Sequence, residues 1–140
     1  MLKDPSVKCV AVVGASRNPN KWGHKVFQTL INYYPNIRAY PVNPKADEIL
    51  GHKAYPDIRS LPEKPDMIIT VVPPKITEKV VRDAIELGVR IIWMQPGSES
   101  DSAIELAKQN GIQVISGACF IETSKDTGGK IYFKVGRDVK

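Results

Sequence analysis

Cysteine and histidine are scarce in this chain, with only Cys9, Cys119, His24 and His52 among 140 residues. Two cysteines so far apart make no disulfide framework, and two histidines without metal-ligand spacing make no zinc site, so no metal is expected. With no triad or metal company, both histidines are expected on the surface or in loops. Aromatic residues are few, at 7%, and no basic helix carries them at intervals, which speaks against nucleic acid as a partner. No apolar run approaches the ~18 to 20 residues of a membrane span, and Met1-Leu2-Lys3-Asp4-Pro5 has no apolar signal-peptide core. A cytoplasmic protein with no membrane partner is expected. Also missing are a Ser/His/Asp set, the G-x-x-x-x-G-K-[ST] phosphate loop and an acid pair of hydrolytic spacing. Catalytic residues are therefore expected to be none.

What is present fits one layered domain. A hydrophobic content of 42% in 140 residues supports a single core, so residues 1–140 are read as one domain. Apolar, β-branched runs recur at Val7 to Val13, Ile37 to Val42, Met67 to Val72, Ile91 to Met94 and Ile112 to Ile115. Their near-continuous apolar character predicts strands covered on both faces, hence a mostly parallel sheet. Helices are predicted between them: Trp22 to Tyr34, Ile76 to Leu87 ending at Gly88, and Ser98 to Asn110 with Ser98 as N-cap. The fold class is α/β, a Rossmann-like doubly wound sheet in three layers. The proline-rich stretch from Asn43 to Pro65 reads as loop, a short strand near His52 to Tyr55 and a helical turn. After Ile121, Thr127-Gly128-Gly129-Lys130 reads as a turn and Ile131-Tyr132-Phe133 as an edge strand or packing segment.

The net charge of +5 contains no run of five or six like charges, so position decides its meaning. Directly after the first strand stands Gly14-Ala15-Ser16-Arg17-Asn18-Pro19-Asn20-Lys21-Trp22-Gly23. A glycine at a strand end followed by a helix N-terminus suits a phosphate, with the Ser16 hydroxyl and the Arg17 or Lys21 charge as further donors. The dinucleotide pattern G-x-G-x-x-G would need glycines where Ser16 and Pro19 stand, which weakens ordinary NAD binding. At the second strand end, Asn43-Pro44-Lys45 replaces the ribose-binding acid with an amide and a cation, favouring a ribose that carries a 2′- or 3′-phosphate. Val72-Pro73-Pro74-Lys75 and Gln95-Pro96-Gly97 repeat the theme with apolar walls for a purine or an extended acyl-carrier arm. Ligands of open α/β sheets bind at this edge, and Arg17, Lys21, Lys45 and Lys75 all fall on it.

Val13-Gly14-Ala15-Ser16, Val42-Asn43-Pro44-Lys45, Val72-Pro73-Pro74, Gln95-Pro96-Gly97 and Gly117-Ala118-Cys119 together resemble the coenzyme A-binding domain family. These are stand-alone relatives of the N-terminal domain of the succinyl-CoA synthetase alpha subunit. The resemblance implies coenzyme A as cofactor, with the pyrophosphate at Gly14, Ala15, Ser16, Arg17 and Lys21 and the ribose and its 3′-phosphate at Asn43, Pro44 and Lys45. Val72, Pro73 and Pro74 would bracket the adenine, and Gln95, Pro96 and Gly97 would flank the pantetheine arm. Trp22 and Gly23 close the first loop. The synthetase's second domain, which carries its phosphorylated histidine, is not expected within these residues. The chain is thus read as a carrier, sensor or subunit for coenzyme A or acyl-CoA, alone, as a homo-oligomer or with a partner subunit. The alternatives are an NADP-dependent oxidoreductase and part of an acyl-CoA synthetase. Cys119 follows the last strand and reads either as a core residue beside Phe120 or as a thiol near the coenzyme's own, able to form a mixed disulfide. Cys9, at the opposite end of the first strand, should be out of reach.

Overall fold

The computed structural model describes residues 7–128. Its main sheet has five parallel strands in the order β2 (Arg38–Val42), β1 (Cys9–Val13), β5 (Met67–Thr70), β6 (Ile91–Met94) and β7 (Gln113–Ile115). Helices α1 (Trp22–Tyr33) and α4 (Phe120–Thr127) cover one face, and α2 (Pro74–Leu87) and α3 (Asp101–Gln109) cover the other. Along β1, Val10 and Val12 pack with Phe27 and Leu30 of α1, while Ala11 and Val13 pack with Val81 and Ala84 of α2. Successive side chains alternate between faces, and here both faces are buried, which is why the strand reads as one apolar run.

The chain leaves β1 toward β2 on one side and returns through β5 on the other. Loops leaving β1 and β5 therefore diverge to opposite faces of the sheet, opening a crevice at the carboxyl ends of the strands. A two-stranded antiparallel hairpin, β3 (Glu48–Ile49) and β4 (His52–Lys53), fills part of the proline-rich segment. Its turn residues Leu50 and Gly51 both have positive φ, at 50° and 80°, as a two-residue hairpin turn requires.

Several expectations are corrected. The third main strand ends at Thr70, and α2 begins at Pro74 rather than Ile76; a proline at the first helical position gives up an N–H that has no partner there. The N-cap of α3 is Ser100, whose Oγ accepts from Ala103 N. Ser98 is instead buried, its Oγ donating toward Thr70 O and Gln95 O. His24 is no surface residue: it is 8% exposed within α1, and Nδ1 donates to Ser16 O at 2.9 Å. His52 is half-buried, set edge-on against Phe27. The helix α4, which starts after Cys119 without a side-chain cap and is closed by Gly128 at φ 62°, was not anticipated. The Ile131-Tyr132-Phe133 segment lies outside the described residues.

Candidate ligand-binding site at the carboxyl ends of the strands

The site is built on two close backbone approaches. Gly14 has φ +100°, and a Cβ there would lie 2.2 Å from Val71 O and 2.8 Å from Val72 Cγ1. A Cβ on Gly23 would lie 1.8 Å from Gly14 O, so the first turn of α1 rests directly on the end of β1. No side chain caps α1 and no acid stands in its first turn. Its positive end is thus left uncompensated above Gly14.

Side chains lock this loop to the next one. Asn43 Nδ2 donates to Ala15 O at 2.8 Å while its Oδ1 accepts from Lys45 N at 2.8 Å. Gly14 N donates to Val42 O, and Asn18 N donates to Ser16 Oγ. Together with the His24 bond, these contacts make a preorganised rim. Asn43 therefore ties the two loops to each other, a role its sequence position did not reveal.

Two cavities meet over Gly14 and Val72, which line both. The larger, about 710 Å³, runs between Lys21, Trp22 and Gly23 on one side and Pro73, Pro74, Pro96 and Gly97 on the other. Its far end is formed by Gln95, Cys119 and Glu122. Gln95 is 4% exposed; its Oε1 accepts from Phe120 N at 2.6 Å and its Nε2 donates to Cys119 Sγ at 3.5 Å. Trp93 Nε1 donates to Ala118 O, so β6 holds the start of α4 in place. Cys119 is half-buried and lines the cavity, unlike a core cysteine, whereas Cys9 is 1% exposed.

The smaller cavity, about 340 Å³, lies between Asn43, Pro44 and Lys45 after β2, the Pro56 to Ile58 segment, and the α2 residues Ile76, Lys79, Val80 and Asp83. The α2 contribution was missed because Ile76 and Val80 read as core spacing. Residues 76, 79, 80 and 83 nonetheless share one helix face, and that periodicity was the available signal. Of the Val72 to Pro74 segment, only Val72 reaches this smaller cavity; Pro73 and Pro74 line the larger one. Neither cavity is lined by Ala15, Ser16, Arg17 or Lys75. Ala15 is buried in the core and contributes its carbonyl to the rim; Arg17 and Lys75 are exposed. No helix among the described residues is long and apolar enough to cross a membrane, and none of their His, Cys, Asp and Glu side chains form a cluster able to hold a metal ion.

Known proteins resemble this chain in sequence and fold. A family model described as a CoA binding domain matches residues 8–123. The acetate–CoA ligase [ADP-forming] II subunit alpha of Pyrococcus furiosus is 32% identical over 120 residues, covering 79% of this chain and 26% of that protein. The acetate–CoA ligase [ADP-forming] II of Archaeoglobus fulgidus is 36% identical over 117 residues, 76% of this chain and 17% of that protein. The chain thus spans about a quarter or less of these ligase relatives. A solved structure of a conserved hypothetical protein from Pyrococcus furiosus superposes with a TM-score of 0.76 at 37% identity, covering 83% of this chain and 98% of that one.

Proposed function

Because the chain belongs to the CoA-binding domain family, we propose that it binds coenzyme A or an acyl-CoA across the two joined cavities. The observation that carries this reading is their meeting point: a pass over Gly14 and Val72, beside the uncapped start of α1. A pyrophosphate fits such a pass, since helix N-termini offer unpaired N–H groups and partial positive charge. The adenosine then occupies the smaller cavity beside Lys45. The pantetheine arm follows the prolines of the larger one toward Cys119. In this pose Val72 and Ile76 flank the adenine, and Pro73 and Pro74 serve the arm.

The chain's role is that of a carrier, sensor or subunit in the cytoplasm, supplying a binding site and not the reaction. Likeness to ADP-forming ligase subunits favours one version of this, a subunit whose ligase is completed by another chain. Calorimetry with coenzyme A, 3′-dephospho-coenzyme A, NADH and NADPH tests the reading. Coenzyme A should bind more tightly than its dephospho form, since a charge-assisted phosphate contact contributes about 1.5 to 3 kcal/mol. Lys45→Ala should cut that preference by about tenfold, equivalent to ~1.4 kcal/mol. Equal affinity of wild type for the two coenzymes would remove Lys45 from this role. NADH and NADPH should bind weakly, because Ser16 and Pro19 replace two fingerprint glycines. Tight NADPH binding would instead favour an oxidoreductase.

A second measurement reads occupancy of the larger cavity. Trp22 is 62% exposed at its wall, while Trp93 is fully buried in the core. Saturable change in tryptophan emission on adding coenzyme A is expected, lost in Trp22→Phe. An unchanged response in Trp22→Phe would place the arm elsewhere.

A further inference from the structure

Lys79 stands outside every segment that carries the family resemblance, yet it lines the smaller cavity together with Lys45. The two lysines come from different walls, Lys45 from the loop after β2 and Lys79 from the middle of α2. Building on the proposed coenzyme A site, we propose that Lys79 is a second specificity residue, which with Lys45 selects nucleotides bearing a terminal phosphomonoester on the ribose.

The present partner of Lys79 makes this inexpensive. Its Nζ lies 3.4 Å from Asp83 Oδ2, a long contact with the lysine side chain 64% exposed. Such exposed pairs contribute little to stability. Asp83 does not depend on it, because Arg59 donates to Asp83 Oδ1 through Nε at 3.2 Å and Nη2 at 2.9 Å. Lys79 can therefore turn to a ligand without stranding a half-buried carboxylate. The other acid on the cavity, Asp57, is also engaged, its Oδ1 accepting from Ser60 N at 2.9 Å. Both carboxylates are thus held by their own scaffold, while two flexible ammonium groups remain to meet an anion. A phosphodiester carries one negative charge, whereas a phosphomonoester carries nearly two near neutral pH. Two cations on separate walls of one cavity suit the second kind of group.

The test is calorimetry on the full chain, comparing wild type, Lys79→Met and Lys75→Met with coenzyme A and 3′-dephospho-coenzyme A. Methionine keeps the apolar stem, and Lys75 is a control on the same helix that lines neither cavity. Thermal melts should show all three proteins equally folded. Lys79→Met is expected to weaken coenzyme A by about three- to tenfold, the range of one exposed or partly buried charged contact, with dephospho-coenzyme A unchanged. Lys75→Met should change neither. Adenosine 3′,5′-bisphosphate against AMP should repeat the pattern without the pantetheine arm. Unchanged preference in Lys79→Met, or equal weakening of both coenzymes, overturns the role of Lys79 while the coenzyme A site stands. Failure of wild type to bind either coenzyme overturns the site itself and this inference with it.

Discussion

Alanine at position 23 is expected to lower stability by about 3 kcal/mol or more, a loss on the scale of severe overpacking. Helix propensity predicts the opposite sign, since Gly→Ala inside a helix usually gains up to about 1 kcal/mol. Geometry decides between them. The new Cβ would stand 1.8 Å from Gly14 O, 2.8 Å from Gly14 C and 3.2 Å from Ala15 Cα. All three neighbours are backbone, so no side chain can turn aside, and α1 would have to lift off the sheet. That movement would loosen Val26, Phe27 and Leu30, all buried against β1 and its neighbours. It would also open the pass over Gly14, so coenzyme A binding should be lost with the stability. Denaturant unfolding monitored by far-UV circular dichroism measures the first effect and calorimetry the second. Gly111→Ala calibrates them: Gly111 has φ +77° with nothing within 4 Å of an added Cβ, so only backbone strain of about 1 to 2 kcal/mol applies. A Gly23→Ala protein as stable as wild type would mean that the close approach of α1 to β1 is wrong.

This pair of glycines shows how far the sequence could be read. The special place of Gly14 was legible because a glycine directly between a strand and a helix marks a tight turn, and here it has φ +100° and lies against Val71 O. The reason for Gly23 was not, because it depends on where the helix axis falls over the strand. The parallel sheet was legible for a similarly local reason: both faces of β1 are apolar because both are covered. Helix α4 was hidden because its first N–H is satisfied by Gln95 Oε1, 25 residues earlier in the chain, and no local capping residue marks its start. Likewise Asn43 lines the smaller cavity, but its second role, an amide that bridges two loops, was hidden. Contacts between residues distant in sequence are hidden from a local reading of the chain.

Only one of the two cysteines should react with iodoacetamide in the folded protein, and a bound coenzyme should shield it. Cys9 begins β1 at the end of the sheet opposite the site and is 1% exposed. Burial, followed by the nearby Glu63 and Asp66 carboxylates, pushes its thiol up to about 12 from 9.0. Since the thiolate is the nucleophile, a rise of this size leaves about a thousandfold less of the reactive form near pH 8, before any steric barrier is counted. Cys119 is half-buried and opens on the larger cavity beside Gln95 and Glu122. Mass spectrometry should therefore find one label on the native wild type, none on Cys119→Ser, and two on wild type in denaturant. Saturating acetyl-CoA, which carries no free thiol to consume the reagent, should slow the native reaction by the fraction of sites occupied, about a hundredfold at 100 times the dissociation constant. Adenosine 3′,5′-bisphosphate fills only the smaller cavity in this pose and should leave the rate unchanged. Equal protection by the two ligands would mean that shielding comes from a general tightening of the fold and not from the arm. No protection by acetyl-CoA, with its binding shown by calorimetry, would direct the pantetheine arm away from Cys119 and out of the larger cavity's far end.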